Sequence, residues 1–427
     1  MTAVREQAFA DVPLRNNRGF SLLWFGEGVS VLGTATSSVL LPLLAVVTFD
    51  AGAAWMGVLT AATWLPWVLI GLPAGAWIDQ WPARPVMIFA DLVAAAAAIT
   101  VPVAWLFGVL SLPQLLVVAL VIGFATVFLR TAHTKLVVGI VPARQLENAN
   151  ARLFGTESAM QTVGPGLGGV IAQVLGAAFG LFVDAASFVI SAICLWRIRV
   201  PAEPSPPGPD PITSLSARIA DGIRYVRGDR YLRWAIIIGS ISNFGLVGYA
   251  ALLVLYLVRD LGLNPSTVGL VLTVGSCGGL VGAVLAPRIS SRLGSGRAST
   301  VLLVCGGPPA LLLALAAPGP RVTLVIIGLF VVGVCVVAGN VIRGAWRSSY
   351  VPAELLGRVL TASQTVNYGS APIAALTAGW LGSALGIRET IAIMAAVHAA
   401  ACLMILLSPF RPLRCLPAPG SGQLSSE

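Results

Sequence analysis

The chain has 427 residues, of which 57% are hydrophobic and only 10% are charged, against about 25% charged in an ordinary soluble domain. A water-soluble fold has no means of covering so much apolar surface. Lipid admits only helices or closed barrels, and the long continuous apolar runs exclude the short alternating strands of a barrel. A net charge of +9 is compatible with binding to nucleic acid. The basic residues are, however, scattered among short loops, and all of them are arginine except Lys135. No nucleic-acid partner is therefore expected.

Twelve apolar segments are long enough to cross a bilayer, whose hydrocarbon core of about 30 Å needs about 20 residues of helix. They lie near residues 20–48, 53–78, 86–108, 112–139, 157–177, 179–197, 233–258, 266–287, 298–317, 322–343, 362–384 and 388–408. The first is too long for the core of a signal peptide. The predicted fold class is an all-α membrane protein with twelve transmembrane helices.

One long polar stretch, rich in proline between Pro201 and Pro211, divides the chain into two halves of six predicted helices. The predicted organisation is an N-terminal tail (1–19), a six-helix bundle (20–197), a central linker (198–232), a second six-helix bundle (233–408) and a C-terminal tail (409–427).

The basic residues also predict the orientation. With the N-terminus inside, twenty of the 26 fall in cytoplasmic segments. The positive-inside rule then places both termini in the cytoplasm and favours an even number of spans. The expected location is the plasma membrane.

The two halves echo one another. Val141-Pro142-Ala143 follows the fourth predicted span and Val351-Pro352-Ala353 follows the tenth, at an offset of 210 residues. Two parallel six-helix repeats suit a transporter whose halves rock around one central site.

The junction of the second and third spans carries Gly75, Asp79 and Arg84. Gly75 is expected to permit close helix approach. Asp79 ends its helix, where the helix dipole disfavours an anion, so a cationic partner such as Arg84 is expected. Two interpretations are open. The cluster is either a cytoplasmic latch that holds one conformation, or Asp79 only ends its helix in water.

The fifth span contains Gly164-Pro165-Gly166-Leu167-Gly168-Gly169. Pro165 removes a backbone hydrogen bond and bends the helix, while Gly164 and Gly168 form a small-xxx-small face. Gly169 continues this run. The motif is equally consistent with a hinge and with a tight packing seam.

Together these motifs resemble the major facilitator superfamily. The junction motif is similar to its loop 2–3 signature, and the glycine motif is similar to the helix 5 motif of its antiporters. Further segments resemble the branch of enterobactin exporters and macrolide efflux proteins: Leu23-Trp24, Gly33, Leu65-Pro66, Val141-Pro142, Leu146 to Asn150 and Asp184 to Phe188. The chain departs from the family at Gln80, Ala83 and Met160, where the family has two arginines and a glycine. The resemblance implies the major facilitator fold and secondary active transport.

Charges inside membrane helices are costly, so they tend to face a cavity or a partner. Five such residues are candidates for coupling or packing: Glu27, Arg130, Asp91, Asp184 and Arg343. Glu27 and Arg130 should lie at similar depth. A Glu27–Arg130 pair that breaks on protonation or on substrate binding is the leading hypothesis, and a static pair that fixes packing is the alternative. Asp91 and Asp184 fit structural roles.

Candidate cavity-lining residues are Trp64 and Trp67, which flank Pro66, and Asn243 in the seventh span. Lipid-facing anchoring is the commoner role for tryptophan. The sequence contains no nucleotide-binding loop and no Cys/His metal spacing, so we expect neither cofactor nor metal. No catalytic cluster is evident, and an enzyme is not expected.

The predicted function is proton-coupled efflux of a small hydrophobic or amphipathic compound, such as a drug, an antibiotic or a siderophore-like metabolite, by an antiporter that is expected to be a monomer. Uptake or facilitated diffusion of a small metabolite, or lysolipid transport, are the alternatives. The few intramembrane charges argue against a polyanionic cargo.

Overall fold

The structure, a computed structural model, describes residues 14–198 and 224–418. Within these ranges it leaves out the side chains of Arg15, Leu72, Ala76, Asp79, Ala353, Glu354, Arg358, Thr361 and Ala362. Most of the predicted N-terminal tail and central linker, and the end of the C-terminal tail, lie outside the described residues.

The described residues form α-helices joined by short turns. We number them α1 (Arg18–Phe49), α2 (Ala53–Gln80), α3 (Ala83–Leu106), α4 (Leu112–Ile140), α5 (Leu146–Val174), α6 (Ala177–Arg197), α7 (Arg230–Arg259), α8 (Pro265–Leu293), α9 (Ser295–Gly306), α10 (Thr323–Tyr350), α11 (Ala353–Ala384) and α12 (Ile387–Leu403). Short 3-10 segments continue α9 at Pro308–Leu313 and α12 at Met404–Leu407.

Ten helical segments of the described chain are long and apolar enough to cross a membrane. The predicted spans near 157–177 and 362–384, which correspond to α5 and α11, do not meet that measure. Both helices are long enough, with 29 and 32 residues, but carry many polar side chains. In the residues that the structure describes, the protein is therefore an all-helical membrane protein, with ten of the predicted spans long and apolar enough to cross.

By internal contacts the chain divides into two units, residues 1–44 with 69–209 and residues 45–68 with 210–427. In the first unit, α3 packs along α6 and α4. In the second unit, α8 packs along α10, and α7 packs along α12 and α11. The segment 45–68 belongs to the second unit, whereas the prediction assigns it to the N-terminal bundle.

The internal repeat extends to the helix ends. α4 and α10 both end at a valine with extended backbone, Val141 and Val351. The turns that follow α5 and α11 both contain a glycine with positive φ, Gly176 at 86° and Gly386 at 111°. Glycine is required there because other residues are strained at such angles. Each pair is separated by the 210 residues noted in the sequence.

The first helix of each half starts in the same way. Asn17 caps α1 by accepting from the Phe20 N–H at 3.0 Å, and its amide donates to the Ile140 carbonyl at 2.9 Å. Asp229 caps α7 by accepting from two backbone N–H groups, and the Tyr350 hydroxyl donates to its second oxygen at 2.5 Å. Both N-caps thus connect the first helix of the half to the end of the fourth.

We expect Asp229→Ala to destabilise the second unit measurably. Asp229 is 1% exposed, so its removal deletes a helix cap and leaves the buried Tyr350 hydroxyl without this acceptor. The loss should amount to about 2 kcal/mol, read as a lower thermal midpoint of the purified protein in detergent. Asp229→Asn keeps a capping acceptor and should lose less; equal losses in the two variants would contradict this assignment.

Candidate functional site

A cluster of charged side chains lies on α1, α4 and α5 of the first unit. Glu27 of α1 faces His133 of α4, with Glu27 Oε2 and His133 Nε2 2.6 Å apart. Both side chains are partly exposed, at 27% and 19%. Each side chain is therefore partly accessible, while the two atoms that face each other are buried.

Arg130 of α4 pairs with Glu157 of α5. The Gln161 amide donates to the same Glu157 oxygen at 3.1 Å. The structure thus forms two ion pairs in place of the predicted Glu27–Arg130 pair. Residues 130 and 133 are three apart on α4 and share one side of the helix. His133 is the one that reaches Glu27 of α1, whereas Arg130 reaches Glu157 of α5.

The Glu27–His133 pair has the chemistry of a proton switch. A carboxylate and an imidazole can each bind one proton. Charge on either group alters the attraction between α1 and α4. Arg130 stays charged at any physiological pH, so the second pair responds only through Glu157.

The other predicted acids are deeply buried. Asp184 of α6 is fully buried beside Ser187, whose hydroxyl donates to the Asp184 carbonyl at 2.7 Å. A Cβ placed on Gly33 of α1 would lie 2.7 Å from the Asp184 carboxylate. Asp91 of α3 is also fully buried. Their surroundings indicate helix packing within the first unit.

The junction of α2 and α3 is held by cations that contact backbone carbonyls. Arg84 donates to the carbonyls of Leu195 at 2.8 Å and of Trp196, at the end of α6. Lys135 of α4 donates to Ile78 at 2.8 Å and to Trp81 at 3.0 Å, where α2 ends.

Two further residues of this motif have different outcomes. The Asp79 side chain lies outside the described residues, so its predicted cationic partner stays a prediction. At Gly75 a Cβ would meet no described atom within 4 Å. The expected close helix approach at Gly75 is therefore absent from the described part of the structure.

The glycine motif of α5 packs directly on α1. A Cβ on Gly168 would lie 2.6 Å from the Thr36 carbonyl oxygen, and one on Gly164 would lie 3.0 Å from the Ala35 backbone carbon. Pro165 and Gly169 are buried within the same continuous helix. In this structure the motif is a packing seam.

We expect Gly168→Val to destabilise the first unit, because the added carbons would collide with backbone atoms that cannot move aside. Overpacking of this kind costs about 1–3 kcal/mol. Gly155→Ala on the same helix is a matched control, since a Cβ there meets nothing within 4 Å. Thermal unfolding in detergent distinguishes the two variants, and an unchanged midpoint for Gly168→Val would contradict the packing seam.

In the second unit, the first part of α2 packs on α11. Trp64 and Trp67 both contact Tyr368, with ring centroids 5.6 and 5.1 Å apart. Further along, a Cβ on Gly57 would lie 2.7 Å from the Gly379 Cα atom. Here the two backbones are in van der Waals contact. We call this contact of Gly57 with Gly379 the glycine seam.

A salt bridge lies near the start of α2. Asp50, in the turn before α2, pairs with Arg259 at the end of α7. The Asp50 side chain is 93% exposed, and such surface pairs are worth at most about 1 kcal/mol. The salt bridge therefore contributes little to this packing.

The second unit also contains a cavity of about 130 Å³. Its polar lining comes from helices α7, α9, α10 and α11 and consists of Ser242, Asn243, Ser299, Asn340, Arg343 and Asn367. The Asn243 amide donates to the Asn367 carbonyl at 3.1 Å. Asn243 and Arg343, two of the residues predicted from the sequence, thus line the same cavity.

His398 of α12 lies beside this cavity and is fully buried. Its Nδ1 atom is 3.0 Å from the Ser242 hydroxyl of α7. Among the described residues, no group of three His, Cys, Asp or Glu side chains is arranged to hold a metal ion.

The Major Facilitator Superfamily profile matches residues 23–375. This match covers most of the chain. The chain belongs to the major facilitator superfamily. It is thus a membrane-embedded transporter of small molecules, and not an enzyme.

This member of the superfamily is similar in sequence to an efflux pump and similar in fold to two solved transporters. The multidrug efflux pump Tap of Mycolicibacterium fortuitum is 27% identical over 378 residues, which cover 86% of this chain and 90% of the pump. The crystal structure of the nucleoside transporter NupG superposes with a TM-score of 0.71 at 13% identity, over 91% of this chain and 98% of NupG. A bacterial homologue of the iron transporter ferroportin in an inward-facing state gives 0.70 at 19%, over 91% and 97%. The two structures show the fold alone.

Several contacts in this superfamily member cannot be predicted from the sequence. Glu157 falls at the edge of a predicted span, and the Tyr368 contact with Trp64 and Trp67 joins distant segments. One signal exists for His133, because its spacing of three from Arg130 puts both on one helix face.

Proposed function

We propose that this chain is a proton-coupled exporter of small hydrophobic or amphipathic compounds. The observation that carries the proposal is the Glu27–His133 pair, a half-buried proton-binding pair that joins two membrane helices. The similarity to pumps named for multidrug efflux supports the direction and the breadth of cargo.

The proposed architecture is twelve membrane helices in two six-helix bundles, residues 20–197 and 233–408, which rock around a central site. Both termini lie in the cytoplasm, and the protein works as a monomer in the plasma membrane. Asp79 and Arg84 then belong to the cytoplasmic gate. The helical repeat at an offset of 210 residues supports this arrangement.

In the proposed cycle, a proton enters at the Glu27–His133 pair from outside. Protonation of Glu27 removes its negative charge, so its attraction to His133 falls and α1 is released from α4. Proton release to the cytoplasm restores the pair. Outward movement of cargo and inward movement of protons are thus coupled through one contact.

Cells that express the wild-type chain should export amphipathic dyes, and a proton uncoupler should stop this export. Everted vesicles should accumulate the same dyes when their lumen is acidified. Accumulation by intact cells rather than vesicles would instead indicate uptake, and transport of a labelled lysolipid alone would indicate a lipid carrier. Export that persists under the uncoupler would contradict proton coupling.

A further inference from the structure

The cavity of the second unit is small for a whole drug molecule. Its volume is about 130 Å³. Pockets that hold entire drug-sized ligands span about 300–1,000 Å³. The cavity therefore has room for the head group of a ligand.

Arg343 has an unfilled donor in this cavity. Its Nη2 atom donates to the Asn340 side chain at 3.0 Å. Its Nη1 atom is buried, and no described residue accepts a hydrogen bond from it. The ionisable groups that act on the guanidinium are the Cys402 thiol and the Arg347 guanidinium, so no carboxylate balances its charge within the described residues.

The internal repeat shows what is missing around Arg343. His133 lies eight residues before Val141 at the end of α4, and Arg343 lies eight residues before Val351 at the end of α10. His133 and Arg343 are therefore counterparts. Both positions carry a cationic or protonatable side chain.

The acids of the first unit have no acidic counterparts. Glu27 lies ten residues after the N-cap Asn17, and the residue ten positions after the N-cap Asp229 is Gly239, which lines the cavity. Glu157 lies fifteen residues after Pro142, and the residue fifteen positions after Pro352 is Asn367.

The two halves therefore differ in how their intramembrane cations are balanced. The first unit pairs its cations with Glu27 and Glu157, whereas the second unit keeps a cation and replaces both acids by uncharged residues. A cation inside a membrane helix is costly without an anionic partner. The space that the side chains leave is where such a partner would fit.

We propose that this cavity binds the carboxylate head group of an amphipathic ligand, which accepts hydrogen bonds from Arg343. The guanidinium fork matches a carboxylate geometrically, and such charge-assisted bonds are stronger than neutral ones. Amides of Asn243 and Asn340 line the same space and supply further polar contacts. The inference rests on the proposed function only in taking that ligand to be a cargo.

Two cysteines allow the cavity to be probed without transport. Cys335 and Cys402 line it and are buried, whereas Cys305 and Cys415 are exposed. Purified full-length protein in a maltoside detergent is treated with N-ethylmaleimide, and the modification rate of each cysteine is followed by mass spectrometry. Decanoate and decanamide serve as matched probes that differ in charge.

We expect decanoate to slow modification of Cys335 and Cys402 at an about tenfold lower concentration than decanamide, with Cys305 and Cys415 unaffected. Arg343→Gln should remove that preference, and Arg343→Lys should keep part of it. Arg347→Gln removes the same charge one turn away, does not line the cavity, and should keep the preference. Thermal midpoints identify any variant that is misfolded.

Equal protection by decanoate and decanamide in the wild type would overturn the proposal, as would equal effects of Arg343→Gln and Arg347→Gln. Protection by phosphatidylglycerol but not phosphatidylcholine, as strong as that by decanoate, would overturn the cargo assignment in favour of a lipid head group. The readout needs no gradient. A protein that binds decanoate but exports nothing would therefore contradict the proposed function and not this site.

Discussion

We expect Glu27→Gln to stop export against a concentration gradient while leaving exchange down a gradient intact. Glutamine has nearly the shape of glutamate and still faces His133, whose Nε2 atom lies 2.6 Å from the Glu27 carboxylate. It does not, however, take up or release a proton. Loss of the proton-binding group should therefore lower gradient-driven export at least about tenfold, equivalent to about 1.4 kcal/mol of coupling free energy.

Proteoliposomes with an imposed pH gradient measure this coupling directly. Downhill exchange of the same dye, measured without a gradient, reports whether the variant still binds and moves its cargo. His133→Gln should have a similar effect, and the double variant should lose little more, because residues that act as one unit are not additive.

The neighbouring pair supplies the control. Glu157→Gln also removes an acid that pairs with a side chain of α4, but this partner, Arg130, is an arginine in place of a histidine. We expect this variant to retain uphill export within about threefold, a difference of about 0.6 kcal/mol. If Glu27→Gln exports uphill normally, or if both variants lose export and stability together, the Glu27–His133 pair only fixes helix packing.

The positions of most helices can be predicted because lipid imposes one rule on every span. The sequence predicts the fourth span at 112–139, and α4 lies at Leu112–Ile140. The rule detects the apolar stretch and not the helix, so it fails where a helix continues into a polar segment. The fifth span is predicted from residue 157, but α5 begins at Leu146. The prediction starts too late because the first turns of α5 carry the charged residues Glu147 and Arg152.

A different limit applies at α9. The apolar segment predicted at 298–317 looks like one span, yet the α-helix ends at Gly306. Pro308 and Pro309 follow after Gly307, and proline lacks the N–H that the next turn requires. The chain continues there as a 3-10 segment, so hydropathy locates the segment and proline chemistry decides its form.

Side-chain partners are harder to predict than helices. Glu27 and Arg130 are predicted to share a depth, but depth along the membrane normal does not specify which face of α4 meets α1. Arg130 and His133 are three residues apart, which is less than one turn of the helix. A residue's depth therefore does not decide which of these two side chains meets α1. The sequence thus identifies the charged residues of these helices, whereas their pairing depends on tertiary packing.

The second large effect is expected from Gly57→Leu at the glycine seam. A side chain at residue 57 would collide with backbone atoms of Gly379, at 2.7 Å from its Cα and 3.0 Å from its nitrogen. Backbone atoms cannot rotate aside, so the first part of α2 must move away from α11. In a transporter that alternates between two states, a variant that forbids this contact is trapped in the other state.

We expect transport by Gly57→Leu to fall at least about tenfold, since a shift of about 1.4 kcal/mol already changes the two populations by that factor. Gly52→Ala is the matched control, because a Cβ there meets nothing within 4 Å. Asp50→Asn should reduce transport less than Gly57→Leu, because an exposed pair contributes at most about 1 kcal/mol.

Accessibility of a cysteine introduced by Ala61→Cys tests the cause of this loss. Ala61 is 7% exposed and packs with Ala371, Ala374 and Ala375 of α11. In a cysteine-free background, the introduced thiol should resist maleimide in the parent and react readily once Gly57→Leu is added, with cargo binding retained. Since the glycine seam has no room even for a methyl group, Gly57→Ala should also increase maleimide labelling of the introduced thiol, but by less than Gly57→Leu. Ready labelling of the Ala61→Cys parent, or normal transport by Gly57→Leu, would mean that closure of this seam is no part of the transport cycle.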